Sequence, residues 1–149
     1  MNPFDDLLKE LSSLVGLSLH SDAKGGCRLR VGESLEVQME LNQERALLMY
    51  SFIEEINPGK FRETILKNCL IANQELLPAG ILGYCMKNYQ LSLHRKLPFE
   101  HIKSEELLHA LSLFIDYAIA WQTALREGKT APPFLESAES KPPPFGLKL

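Results

Sequence analysis

Three cysteines, four histidines and nineteen acidic residues are the groups in this 149-residue chain that could carry chemistry. Cys85 and His94 fall on neighbouring strands of a hairpin read below, and a cysteine beside a histidine can form a thiolate nucleophile. Their sequence neighbourhood supplies no orienting third group and no oxyanion hole, so the favoured reading is a buried thiol opposite a surface histidine. His101, Glu105 and His109 stand at four-residue steps, which would align metal ligands if one helix ran through all three. Ser104 reads as the cap of that helix and leaves His101 outside it. Gly25-Gly26 and Gly80-x-x-Gly83 lack the spacing by which glycine loops cradle phosphate. The pairs Glu54-Glu55 and Glu105-Glu106 are adjacent, so they diverge on a strand or helix and cannot flank one bond. The expectation is no catalytic residue, no metal and no cofactor, which favours a binding module over an enzyme.

Composition narrows the class further. Sixteen basic and nineteen acidic residues leave a net charge of −3. No Lys/Arg cluster exceeds two residues, so the footprint of a nucleic-acid binder is missing. No apolar run is long enough to span a bilayer, and Met1 to Asp6 has neither the positive region nor the apolar core of a signal peptide. Cys27, Cys69 and Cys85 are an odd number at wide spacing without a CxxC pair, which suits free thiols in a reducing compartment. A cytoplasmic protein with no membrane insertion is expected.

The elements that must position these residues follow from periodicity. Residues 3–16 read as a helix: Asn2 is a cap candidate, Pro3 a first-turn residue, Asp5 and Asp6 complement the dipole, and Gly16 stops it. Phe4, Leu7, Leu8, Leu11, Leu14 and Val15 form its stripe. The period then falls to two. Cys27, Leu29 and Val31 alternate with Arg28 and Arg30, and Leu35, Val37, Met39 and Leu41 with Glu36, Gln38 and Glu40, as in half-buried antiparallel strands. In the third strand, 45–54, Leu47, Met49 and Ile53 point one way and Leu48, Tyr50 and Phe52 the other. A strand apolar on both faces is either covered twice or presents a binding surface.

A helix over 58–73 carries Phe61, Ile65, Cys69 and Ala72, widened by Leu66, Leu70 and Ile71, and that extra width calls for a second packing partner. Residues 78–87 and 89–97 read as a hairpin turning near Asn88, with Gly80 and Gly83 permitting a bulge or a close backbone approach. A broad, mostly buried helix runs from Ser104 to about Glu127 and stops at Gly128. The domain is therefore set at 1–128, followed by a flexible proline-rich tail over 129–149, in which Phe134-Leu135 or Phe145-Gly146-Leu147 could anchor a docking segment.

The order α-β-β-β-α-β-β-α, an α+β antiparallel sheet packed with three helices, resembles the type III secretion chaperones of the Tir-chaperone (CesT-like) family over about residues 1–128. The carriers are Phe4 to Leu11, the strand pair at 27–41, Phe61-Arg62-Glu63-x-Ile65-Leu66, Gly80 to Tyr84, and the long helix with Trp121. The proline-rich tail is similar to those of some chaperones of intracellular pathogens, among them multiple-cargo secretion chaperones. The resemblance implies a homodimer paired through the middle helix, with Phe61, Leu66, Leu70 and Ile71 at the dimer interface. It implies secreted effector proteins as partners, bound by a non-globular N-terminal segment, with Leu48, Tyr50, Phe52, Phe4, Leu7 and Leu8 as client-binding residues. It extends to secretion-apparatus components as further partners, and it implies no nucleotide site and no cofactor. Two rivals stand beside it: an adaptor that binds a folded partner, and a small enzyme using Cys85 or a histidine.

Overall fold

The computed structural model describes residues 3–75 and 79–135. The elements are α1 (Pro3–Val15), β1 (Cys27–Val31), β2 (Leu35–Leu41), β3 (Ala46–Glu55), α2 (Lys60–Gln74), β4 (Ile81–Cys85), β5 (Gln90–Pro98) and α3 (Ser104–Arg126). The five strands form one antiparallel sheet in the order β1-β2-β3-β5-β4. This is the expected α+β order, with β3 at the centre.

Alternation of side chains along each strand divides the sheet into two faces. On one face Cys27, Leu35, Val37, Met39, Leu47, Met49, Ser51, Ile53, Leu82, Leu91 and Leu93 are all buried. The apolar residues among them share a single core with Phe4, Leu7, Leu8 and Leu11 of α1, Ile65, Cys69 and Ala72 of α2, and Leu107, Leu111, Phe114, Ala118 and Trp121 of α3. On the other face every position from Arg28 to Lys96 is half-buried or exposed, so the helices lie on one side of the sheet. Full burial of one such apolar side chain contributes about 1.5–3 kcal/mol, which makes this shared core the main source of stability.

Polar clips fix the helices at the margins of that core. The amide of Gln122, buried on α3, donates to the carbonyls of Ile53 (2.9 Å) and Ser34 (3.4 Å), and Arg126 of the last turn pairs with Glu54. At the β4 edge Asn73 of α2 behaves as a strand would. Its Nδ2 donates to the Leu82 carbonyl and its Oδ1 accepts from the Leu82 N–H, both at 2.9 Å. Arg62 Nη1 donates to the Tyr84 hydroxyl at 3.1 Å, and that hydroxyl donates in turn to the Ile56 carbonyl.

Several expectations are corrected. Asn2 lies outside the described residues, as do Pro78 and residues 136–149. Ser104 does not cap α3; Lys103 does, because Glu106 reaches back to accept from the Lys103 N–H, and Ser104 becomes a buried first-turn residue. The register shift lies in β3, between Phe52 and Glu54, and not in the glycine-bearing strand. Gly80 does make the close approach: at φ +157 a Cβ there would come within 2.9 Å of the His94 carbonyl oxygen. The chain past Gly128, expected to be tail, stays packed as far as it is described. Ala131 and Leu135 are buried, Thr130 accepts from the Asn68 amide through its carbonyl and hydroxyl, and the Phe134 ring meets that of Tyr117 at 5.8 Å.

Asn73→Ala is expected to lower unfolding stability by about 1–3 kcal/mol, since it strips two hydrogen bonds from a half-buried strand edge. Urea unfolding checks this as a lower midpoint at unchanged slope.

Candidate functional site

The helix-free face of the sheet concentrates its apolar side chains on the central strand. Leu48 stands between Glu40 of β2 and Lys96 of β5, Tyr50 between Gln38 and His94, and Phe52 beside Ser92. These three side chains make a ridge with polar neighbours on both sides. Leu48 and Tyr50 are half-buried by those neighbours and Phe52 is 44% exposed. No helix among the described residues covers them, so the ridge faces solvent. Burial, reinforced by Glu40, raises the Tyr50 phenol above its ordinary pKa and keeps it a neutral hydrogen-bonding group.

Beside the ridge, toward the β1–β2 turn, Tyr50 and Phe52 with Arg28, Arg30, Glu36 and Gln38 line a groove of about 410 Å³. Glu36 pairs with Arg30 at 3.4 Å and Arg28 at 3.8 Å, and both arginines remain more than half exposed. Exposed pairs of this kind contribute little stability, typically less than about 1 kcal/mol, so they can be rearranged by an arriving chain at small cost. The groove therefore offers apolar contact along β3 and charged hydrogen-bonding groups along β1 and β2. It suits an extended peptide better than a small molecule, because it is an open trough and not a pocket.

The other candidate residues separate into two groups. On α2 the buried stripe is Ile65, Asn68, Cys69 and Ala72. Leu66 and Leu70 lie on the far side of the helix, half-buried and 68% exposed, while Ile71 is half-buried and Phe61, in the first turn, is 47% exposed. An exposed apolar helix face therefore exists, although Phe61 does not share its direction with Leu70. Phe4, Leu7 and Leu8 present no comparable surface. They are 1%, 6% and 1% exposed, because α1 turns its stripe onto α3 and into the shared core, and these side chains are core.

The groups considered for catalysis are kept apart. Cys85 pairs with Gln90, whereas His94 pairs with Ile81. Four residues along an antiparallel strand separate the two by about 13 Å. Burial pushes the Cys69 thiol up to about 12 and raises that of Cys27, with Asp22 adding to the latter, so both stay protonated at neutral pH. His101 sits in the loop before α3 with φ 64, off the helix that carries Glu105 and His109. Two exposed residues were missed by sequence reasoning, Ile81 at 54% and Met86 at 77%. A third, Arg95, occupies the inward phase of Leu91, Leu93 and Leu97, and that phase was the signal available for it.

With this geometry in place, the comparisons with known proteins are specific. The profile of the Tir chaperone protein (CesT) family matches residues 6–122. A chain of the HopA1-SchA chaperone-effector complex superimposes with a TM-score of 0.68 at 18% identity, covering 82% of this chain and 94% of its own. A chain of the ExsC-ExsE complex gives 0.63 at 23% identity, covering 80% and 91%. The Yersinia pestis type III secretion chaperone SycH, in complex with a stable fragment of YscM2, provides a third match at 0.60 and 15% identity, covering 78% and 97%. No curated protein sequence matches. At these identities the structural likenesses establish the fold.

Two thiols whose acidity is suppressed by folding give an alkaline liability. The unfolded chain releases their protons near the ordinary thiol pKa of 9.0, the folded chain only nearer 12 for Cys69. Stability should therefore fall as pH rises from about 9 toward 12, with a slope approaching about 1.4 kcal/mol per pH unit from Cys69, and Cys27 adds to the fall in the same direction. Urea titrations at pH 8, 9.5 and 10.5 check the sign, and Cys69→Ala should flatten the decline.

Proposed function

The chain belongs to the Tir chaperone protein (CesT) family, and on that premise we propose that it is a type III secretion chaperone that binds the N-terminal segment of secreted effector proteins. It keeps that segment non-globular, soluble and ready for export. Its work is binding and not catalysis, and it operates in the cytoplasm as a homodimer, where secretion-apparatus components are further partners.

The observation that carries this reading is the ridge of Leu48, Tyr50 and Phe52 on a sheet face that no helix among the described residues covers. An effector segment laid along this face buries apolar side chains on the ridge and pairs its polar groups with Arg28, Arg30, Glu36 and Gln38. Apolar burial contributes roughly 25 cal/mol per Å², from which the cost of ordering the segment must be subtracted. A bound segment is therefore long and only as tight as release requires. The exposed Leu70, with Leu66 beside it, supports pairing of two copies through α2, which would cover a surface of a kind soluble monomers keep small. The net charge of −3 helps keep such a dimer soluble.

Coexpression with a secreted effector from the same genome tests the function. The expected product is two copies of this chain on one effector, with an effector N-terminal region that is cleaved by protease when free and protected when bound. Capture of folded effector domains alone would overturn the reading in favour of an adaptor. Phe52→Asp should weaken the complex about tenfold or more while leaving the unfolding midpoint of the free chaperone nearly unchanged, as expected for an exposed site. Leu70→Glu should convert the dimer to a monomer in light scattering, and a dimer that survives it would exclude α2 as the interface.

A further inference from the structure

A second opening lies on the opposite side of the sheet, where the end of β5 passes beneath the start of α3. It is a cleft of about 530 Å³ whose apolar wall includes Leu97, Ile102 and Ala110. Arg95 lines it from the helix-covered face of the sheet, in the same phase as Leu91, Leu93 and Leu97. An apolar residue would satisfy the packing there. Instead the guanidinium is partly desolvated, its Nη1 is buried with no hydrogen-bond partner, and Arg95 takes part in none of the ion pairs among the described residues. A buried donor without an acceptor costs stability, and a desolvated charge costs more. This guanidinium, on the lining of an open cleft, therefore keeps donor capacity that no described residue takes up.

The surrounding charges identify its chemistry. Glu100, Glu105 and Glu106 line the same cleft. None of them bonds Arg95, and Glu106 is engaged with the Lys103 N–H that starts α3. Three carboxylates around one guanidinium repel a free anion. They tolerate a neutral acceptor such as a peptide carbonyl, and they attract a basic side chain. His101, also on the lining, stands at φ 64 in the connecting loop, a conformation that costs energy for a non-glycine residue.

We infer that this cleft is a second peptide-binding site, which takes an extended segment with an apolar side chain next to a lysine or arginine. The apolar side chain packs on Leu97, Ile102 and Ala110, a backbone carbonyl accepts from the Arg95 guanidinium, and the basic side chain meets Glu105 and its neighbours. The site is separated from the Leu48–Phe52 ridge by the thickness of the sheet, so one effector segment that wraps the domain can occupy both. The source of the segment rests on the chaperone reading; the peptide chemistry does not.

The test titrates the uniformly ¹⁵N-labelled full chain with two capped hexapeptides, one alternating leucine and lysine, the other leucine and glutamate. Saturable amide shifts across residues 95–110 are expected with the lysine peptide and not with the glutamate one. Arg95→Met should raise the lysine peptide's Kd about tenfold. The Glu100→Gln, Glu105→Gln double variant changes exposed side chains alone, keeps the test alive if Arg95→Met fails to fold, and should flatten the salt dependence of binding. Equal binding of the two peptides, shifts confined to the face around Tyr50, or an unchanged Kd in both variants would overturn the inference. Effector coexpression is read separately, so the cleft and the chaperone reading can fail independently.

Discussion

Trp121 and Phe114, both fully buried, lie in a core that α3 shares with the central strands β3 and β5. The placement of that helix decides the rest of the architecture. Once α3 occupies the middle of one face, α1 fits beside it, and α2 takes the margin at β4, where Asn73 and Arg62 add hydrogen bonds to the apolar contacts of Ile65, Cys69 and Ala72. The opposite face receives no helix among the described residues. The ridge of Leu48, Tyr50 and Phe52 on that face is exposed apolar surface of the kind that marks interaction sites.

Much of this was legible from periodicity, and the failures have physical causes. Alternation gave β1, β2 and β3 and the two directions of β3, because a strand with one wet face prints its pleat directly in the sequence. The stripe of α1 was equally clear, but a stripe says that residues are buried and not against what. Phe4, Leu7 and Leu8 were accordingly assigned to a client and belong to the core. The tail was read from proline content, yet Ala131 and Leu135 find a buried seat beside α2 and α3, since Pro133 stands in the first turn of a short helical segment, where a missing N–H costs nothing. Lys103 as cap depends on Glu106 turning back, a contact that propensity ranks do not register.

Other features depend on sequence-distant partners and had no local signature. Asn73 looks like any polar residue near a helix end until Leu82 is placed opposite it. Cys85 and His94 seemed neighbours because a hairpin brings its strands together. The register of that hairpin, with Gln90 opposite Cys85, moves them apart. Arg95 was the exception: a charged residue in an inward phase is visible in the sequence itself, and its unsatisfied guanidinium is what that irregularity becomes in three dimensions.

The clips that tie the helices to the rest of the domain span long stretches of chain: Gln122 to Ser34 crosses 88 residues and Asn68 to Thr130 crosses 62. A ribosome delivers these partners in order, at about 5–20 residues per second. After β2 has emerged, on the order of 4–17 s pass before Arg126 completes α3, and for that interval the inner faces of Leu35, Val37 and Met39, joined by Leu47 and Met49 as β3 follows, lack the helix that will cover them. A protein whose mature surface shelters the sticky segments of others thus passes through a nascent stage in which its own inner face is the sticky one. The completion of α3 ends that exposure.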